Sequence, residues 1–386
     1  MATPVSAEAT ETVFGEQHTR IDQKPATYSA KRFSEPLLMF SSGRAARFGE
    51  APAGATSVYA LDFDGVLCDS VEELSRCAYY AALVAFPAQL EAPRWTGHDS
   101  SRSASFTERG ESPGKIATNP GLGAEDPSPA AAAAETARIP TISENIWQAV
   151  PPAWLLDKMR KLRPYIETGY ESILLVRMLI EERLVSERAE RRPRPLTVGE
   201  IAANWKSVLH DRLLRDWNIQ PSFLIELFGT IRDAWIARDK STWLSMNPIY
   251  PGVADALNMS QQPVYIVTTK QERFVKLILE HAGIRPGRIP PANVYGMDRK
   301  MTKIATIKEI LRKEEERSQD SQRKVVVHLV EDRLETLEAA TISLLGAPVT
   351  YHLATWGYND PAQRARAEKH PFIDLLDLPS FTMKMH

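Results

Sequence analysis

Short, nearly unbroken apolar runs alternate with stretches whose apolar residues return every three or four positions. Val58-Tyr59-Ala60-Leu61 is the first such run, and it ends on Asp62-Phe63-Asp64-Gly65-Val66-Leu67. From Tyr250 onward the alternation is regular. Pro263-Val264-Tyr265-Ile266-Val267 reads as a strand, and the segment Gln271 to Ala282 puts Phe274, Leu277, Ile278 and Ala282 on one helical face before Gly283, a natural helix stop. Asn293-Val294-Tyr295-Gly296, a helix carrying Ile304, Ile307, Ile310 and Leu311, the strand Val325 to Val330 and a final strand Val349 to Ala354 follow. Val/Ile-rich strands separated by amphipathic helices predict an α/β fold, a Rossmann-like parallel sheet flanked by helices, with ligands bound beyond the carboxyl ends of the strands.

Between the first run and Tyr250 the pattern is helical. Ile173, Leu174, Leu175, Met178, Leu179, Leu184 and Val185 recur at helical spacing, as do Leu224, Ile225, Leu227, Phe228, Ile231 and Trp235. Six tryptophans fall between Trp147 and Trp243, as expected of packed core. Residues 95–140 are rich in Ser, Gly, Pro and Ala without a sustained apolar period, and read as a flexible insertion. Residues 1–56 read as a disordered tail; they loosely resemble an organelle transit segment, but Glu8, Glu11, Glu16 and Asp22 argue against one. The expected organisation is a sheet core of residues 57–80 and 250–386, interrupted by an all-helical cap of residues 81–249.

Composition narrows the field. Lys and Arg total 47 against 49 Asp and Glu, so net charge gives no case for a nucleic-acid or anionic-membrane partner, and no run of about 20 apolar residues predicts a membrane span. Cys68 and Cys77 are the only cysteines, too few for a disulfide framework or a cysteine zinc site, and they fit a reducing, intracellular setting in cytosol or plastid. Cys68 is expected to be a small packed residue.

The residues just after each predicted strand are Asp62 and Asp64, then Thr268, then Glu331 and Asp332, while Lys303 opens its helix behind a possible N-cap at Thr302. Buried carboxylates need a compensating cation, and oxygen ligands suit a hard divalent ion. Four carboxylates, a hydroxyl and a lysine therefore predict a Mg2+-dependent phosphoryl site. Thr269 follows Thr268 at once, so a one-residue shift would exchange them, and Arg299, Lys300 and Lys308 compete with Lys303.

Taken together, Asp62-Phe63-Asp64-Gly65-Val66, Thr268, Lys303 and Glu331-Asp332 resemble, in order, the four motifs of the haloacid-dehalogenase-like (HAD) hydrolase superfamily. Further stretches look like an uncharacterised branch of these hydrolases found in plants and cyanobacteria: Lys158-Met159-Arg160 with Arg163-Pro164, Glu167 to Glu171, Val264 to Lys270, Val330 to Leu334, and Trp356-Gly357-Tyr358-Asn359. The resemblance implies a phosphatase acting on a small phosphorylated metabolite. Asp62 would be the nucleophile, Asp64 the general acid and base, and Thr268 and Lys303 the phosphate ligands. Mg2+ would be held by Asp62, the Asp64 carbonyl, Asp332 and Glu331, the last directly or through water. Glu331 stands where the wider family commonly has glycine. The second acid, Asp64, favours a phosphatase over a dehalogenase, whose halide leaving group needs no proton. A phosphomutase, or a non-catalytic scaffold of the same fold, is the alternative.

The 206 positions from Asp62 to Thr268, against 35 from Thr268 to Lys303, put a helical cap of the family's first type in the first interval, where substrate choice would reside. Arg160, Arg163, Tyr170 and Arg177 are candidates to meet an anionic or sugar-like leaving group; the same side chains could equally form internal ion pairs with Glu167 or Glu171.

Overall fold

The computed structural model describes residues 48–50, 53–90, 139–188, 194–318 and 324–385. Most of the tail assigned to residues 1–56 and of the insertion assigned to residues 95–140 lies outside the described residues.

Strands β1 (Ala55–Leu61), β2 (Val264–Val267), β3 (Val294–Tyr295), β4 (Lys324–Glu331), β5 (Val349–Ala354) and β6 (Ile373–Leu376) form one parallel sheet of order β3-β2-β1-β4-β5-β6. This is the α/β, Rossmann-like arrangement expected from the apolar runs. The chain starts in the middle, winds outward through β2 and β3, then returns to β4 on the other side of β1. Adjacent crossovers diverge at the β1–β4 pair, which opens a crevice at the carboxyl ends of those two strands. Val349 to Ala354 was expected to be the final strand, but β6 follows it. That edge strand is four residues long, is interrupted by Asp374 and leaves Leu375 exposed, so it carries no clear apolar run.

Helices cover both faces, as the doubly buried strands require. In chain order they are α1 (Val71–Ala85), α2 (Pro87–Leu90), α3 (Ala153–Leu162), α4 (Glu171–Arg188), α5 (Val198–Asn204), α6 (His210–Asp216), α7 (Pro221–Ser245), α8 (Val253–Met259), α9 (Glu272–His281), α10 (Lys303–Ser318), α11 (Leu334–Ser343), α12 (Pro361–Glu368) and α13 (Leu378–Lys384). Because alternate strand residues face opposite sides, Val58, Ala60, Tyr265, Val327 and Leu329 pack with Ile307 and Ile310 of α10 and Leu334 and Leu337 of α11. Tyr59, Leu61, Val264 and Ile266 share the other core with Val253 of α8, Phe274 and Ile278 of α9 and Phe381 of α13. That second core runs on into the helical stretch, where α1 packs on α3, α4 and α7. Trp205, Trp235 and Trp243 are buried there, with the indole N–H of Trp205 donating to Glu171 Oε2 at 2.9 Å.

Candidate active site

β1 delivers Asp62 to the crevice. Asp62 Oδ1 accepts from the Phe63 N–H at 2.8 Å, and Asp62 Oδ2 lies 2.8 Å from Lys303 Nζ. Lys303 is the first residue of α10, whose opening turn is capped by Thr302 Oγ1 accepting from the Ala305 N–H at 3.1 Å. Its ammonium also donates to Glu331 Oε2 at 2.6 Å, so one cation bridges the ends of β1 and β4. Burial lowers the pKa of that ammonium, but Asp62 and Glu331 outweigh it and hold the group well above the usual lysine range.

Asp62, Glu331 and Asp332 bring one carboxylate oxygen each to within 4.8 Å of one another. Burial first, then the Asp62 charge, pushes the Glu331 carboxyl well above its ordinary range and that of Asp332 up to about 6, with Lys303 opposing both. Lys303 pairs with Asp62 and Glu331, and no ion pair to Asp332 is found among the described residues. An all-oxygen donor set short of positive charge fits a hard divalent cation. The backbone is shaped around this cluster. Gly65 turns out of the strand at φ +89°, and a Cβ there would strike Asp332 Oδ2 and the Tyr358 ring; a Cβ at Gly357 would strike the Gly65 carbonyl.

The segment Trp356 to Asn359 braces the same place. The Tyr358 N–H donates to Asp332 Oδ2 at 2.9 Å, its hydroxyl donates to Asp69 Oδ1 at 2.8 Å, and the Asn359 amide ties the Asp332 and Ala354 carbonyls together. The Trp356 indole reaches back to the Val66 carbonyl at 3.0 Å.

Asp64 faces the other way. Its Oδ1 accepts from Lys270 Nζ at 3.0 Å, and Lys270 is itself 3.8 Å from Glu73 Oε2. Glu73, fully buried in α1, takes both Arg232 donors at 2.7 and 2.8 Å and the Trp243 indole N–H at 3.0 Å. The result is a buried line of alternating charge, Asp64, Lys270, Glu73, Arg232, from the strand end into the helices α1 and α7. Burial would raise the Asp64 carboxyl, but Lys270 and then Arg163 overcome it and hold it below the ordinary range. Neither Lys270 nor Glu73 was singled out from sequence. The available signals were a lysine two residues beyond the strand-end threonine and an acid among the apolar positions Leu74, Cys77 and Ala78.

A cavity of about 450 Å3 opens over these groups and is lined by Asp62, Asp64, Thr268, Lys303 and Asp332 together with Arg163. Glu331 does not line it; it lies buried beneath Lys303. Thr268 is buried at the end of β2, its hydroxyl accepting from the Lys270 N–H at 3.1 Å, whereas Thr269 donates to the Glu167 carbonyl at 3.2 Å. Of the four expected leaving-group contacts only Arg163 reaches the cavity. Its guanidinium lies 4.1 Å from the Tyr358 ring centroid, and Nη1 donates to the Ile166 carbonyl at 3.0 Å. Arg177 is instead held between the rings of Phe86 and Trp217, Arg160 faces Glu72, and the Tyr170 hydroxyl meets His210 Nε2 at 3.0 Å. Cys68 is a buried free thiol, as expected, and burial pushes it up in pKa. No helix among the described residues is long and apolar enough to cross a membrane.

No family model and no curated protein matches the chain. Among solved structures it is similar to a predicted phosphatase from Clostridium acetobutylicum, at 12% identity over 86% of this chain and 98% of that one, with a TM-score of 0.40. It is also similar to a predicted phosphoglycolate phosphatase from Haemophilus somnus, at 14% identity over 83% and 93% with a TM-score of 0.38. A haloacid dehalogenase-like hydrolase from Streptococcus pneumoniae shows 12% identity over 84% and 95%, with a TM-score of 0.38. At these values the likeness assigns no activity, and the site stands on its own geometry.

Proposed function

We propose that this chain is a Mg2+-dependent phosphatase of the HAD-like superfamily, in the branch its sequence resembles, which cleaves a small phosphate monoester through an aspartyl-phosphate on Asp62. The observation that carries this reading is the Lys303 bridge between Asp62 and Glu331, beside Asp332 and in one cavity with Asp64 and Thr268. Asp62 and Asp332 would hold the metal, with Glu331 directly or through water and with the Asp64 carbonyl that the family resemblance implies. The bound ion would supply charge neutralisation for the transferring group.

In the first step an Asp62 oxygen attacks phosphorus and the ester P–O bond breaks. The leaving alkoxide takes a proton from Asp64. In the second, Asp64 accepts a proton from water as that water attacks phosphorus, which releases inorganic phosphate and restores Asp62. In the free protein Lys270 and Arg163 hold the Asp64 pKa down, so Asp64 takes up a proton from solvent as the ester binds and returns one to solvent after the second step. A phosphoryl group arriving beside it is a like charge that raises its proton affinity, which is what the acid role needs. Thr268 Oγ1, already accepting from the Lys270 N–H, has its own hydrogen to donate to a phosphoryl oxygen. Lys303 stays protonated and offsets the charge of nucleophile and phosphate.

The helical stretch of residues 81–249 serves in this reading as the cap, and Arg163 is its contribution to the reacting groups. Purified protein with Mg2+ is expected to hydrolyse members of a phosphate-monoester panel, and Asp62→Asn to lose that turnover. No hydrolysis of any ester combined with no Mg2+ binding would instead favour a non-catalytic scaffold.

A further inference from the structure

We propose that the preferred substrate carries a second anionic group, a carboxylate or a second phosphate, bound by Arg333 and Lys206, and that Glu167 occupies that place in the free protein. This rests on the phosphatase reading and deepens it. The three residues line the same cavity as Asp62 and Thr268. Glu167 Oε2 lies 2.7 Å from Lys206 Nζ and 3.2 Å from Arg333 Nη1, so a single carboxylate oxygen is shared by two cations from different parts of the fold. Arg333 comes from the loop after β4, and Lys206 from the π-helical turn Trp205–Leu209 in the helical stretch.

The arrangement differs from an ordinary surface ion pair. The Arg212–Asp216 pair has both side chains more than half exposed, whereas the Arg333 side chain is 7% exposed and its Nε has no acceptor among the described residues. A buried guanidinium that lines a cavity with an unsatisfied donor is short of an acceptor. Arg163, on the same cavity, is also buried with Nε unsatisfied. Lys300, exposed on the same rim, adds a further positive charge, while Glu335 is engaged by Arg366 and Gln363. Glu167 itself is half exposed and sits on the connection into α4, where an incoming anion with two or three oxygens can displace its carboxylate and satisfy more of the donors.

The test is the ratio of kcat/KM for a matched pair of esters, 3-phosphoglycerate and glycerol 3-phosphate, which differ by a carboxylate, with fructose 1,6-bisphosphate and fructose 6-phosphate as the phosphate arm. p-Nitrophenyl phosphate reports the phosphatase reading separately. The wild type is expected to favour at least one doubly anionic member, by about tenfold or more for a charged hydrogen bond. Lys206→Met should narrow that ratio and Glu167→Gln widen it. Hydrolysis of p-nitrophenyl phosphate with ratios near one in both arms, or a ratio that Lys206→Met does not move, overturns the second-anion proposal alone. Failure to hydrolyse any of the five esters overturns the phosphatase reading and this inference with it.

Discussion

One strand buries polar side chains in two opposite ways. His328, in the middle of β4, and Glu331, three residues later at its end, are both fully buried. His328 is satisfied by neutral hydroxyls, with Thr350 Oγ1 2.8 Å from Nδ1 and Ser57 Oγ 3.2 Å from Nε2, and His352 continues the seam through Thr350. Phe48 and Tyr59 pack against its ring, and Phe381 stacks on Phe48. Burial pushes His328 down to about 4, so it stays uncharged. At the strand end, Glu331, Asp332 and Asp62 crowd together, and the Lys303 ammonium pairs with only two of them. A neutral polar group whose bonds are made inside the protein settles a fold and waits for nothing. A cluster of acids short of cations implies a charge still to arrive, and that difference, more than burial itself, marks the strand end as the site.

The largest effect is expected at Lys303. Lys303→Met leaves Asp62 and Glu331 buried without their shared cation, and removing one partner of a buried pair costs about 3–5 kcal/mol. Urea unfolding at pH 7.5 should show that loss, and phosphatase turnover should vanish with it.

The histidine seam should fail differently. With its folded pKa below the unfolded one, the unfolded chain binds more protons between about pH 4 and 6.5, so stability rises with pH across that window. His328 thus contributes about 3 kcal/mol above pH 6.5 that disappears on acidification toward pH 4. His328→Gln is expected to flatten the acid limb of the stability curve while kcat at pH 7.5 changes by less than about twofold. A comparable loss of kcat would erase the contrast between the two stretches.

The smallest effect is expected from the metal. Burial and then the Asp62 charge push the Asp332 carboxyl up to about 6, above the ordinary carboxylate range, so without metal the folded state holds the extra proton and stability falls as pH rises from about 4 to 6. In the proposed reading Mg2+ would bind the ionised form. Its stabilisation, about 2.7 kcal/mol at a hundredfold excess over Kd, should be larger at pH 7.5 than at pH 5 in thermal melts. An equal shift at both values would separate Asp332 from the metal.

Much of this was legible in the sequence because strands announce their ends. The apolar runs closing on Asp62, Thr268 and Glu331 placed those residues at one edge of a parallel sheet, and a helix start placed Lys303 opposite them. What was not legible depends on long-range packing. Lys270 reaches Asp64 across 206 positions and Arg232 reaches Glu73 across 159, and no local pattern couples such pairs. Arg160, Arg163 and Arg177 are equivalent as charges on a helical segment; only the packed structure sends one to the cavity, one to solvent and one between two rings. β6 was missed because a short edge strand with exposed Leu375 carries too weak an alternation.

Acid-quenching the enzyme during turnover of a phosphate monoester, followed by peptide mapping, shows whether Asp62 becomes phosphorylated. The account predicts an acid-stable, base-labile phosphoryl group on the peptide containing Asp62, formed only when Mg2+ is present and absent from Asp62→Asn. Turnover that persists in Asp62→Asn would contradict it.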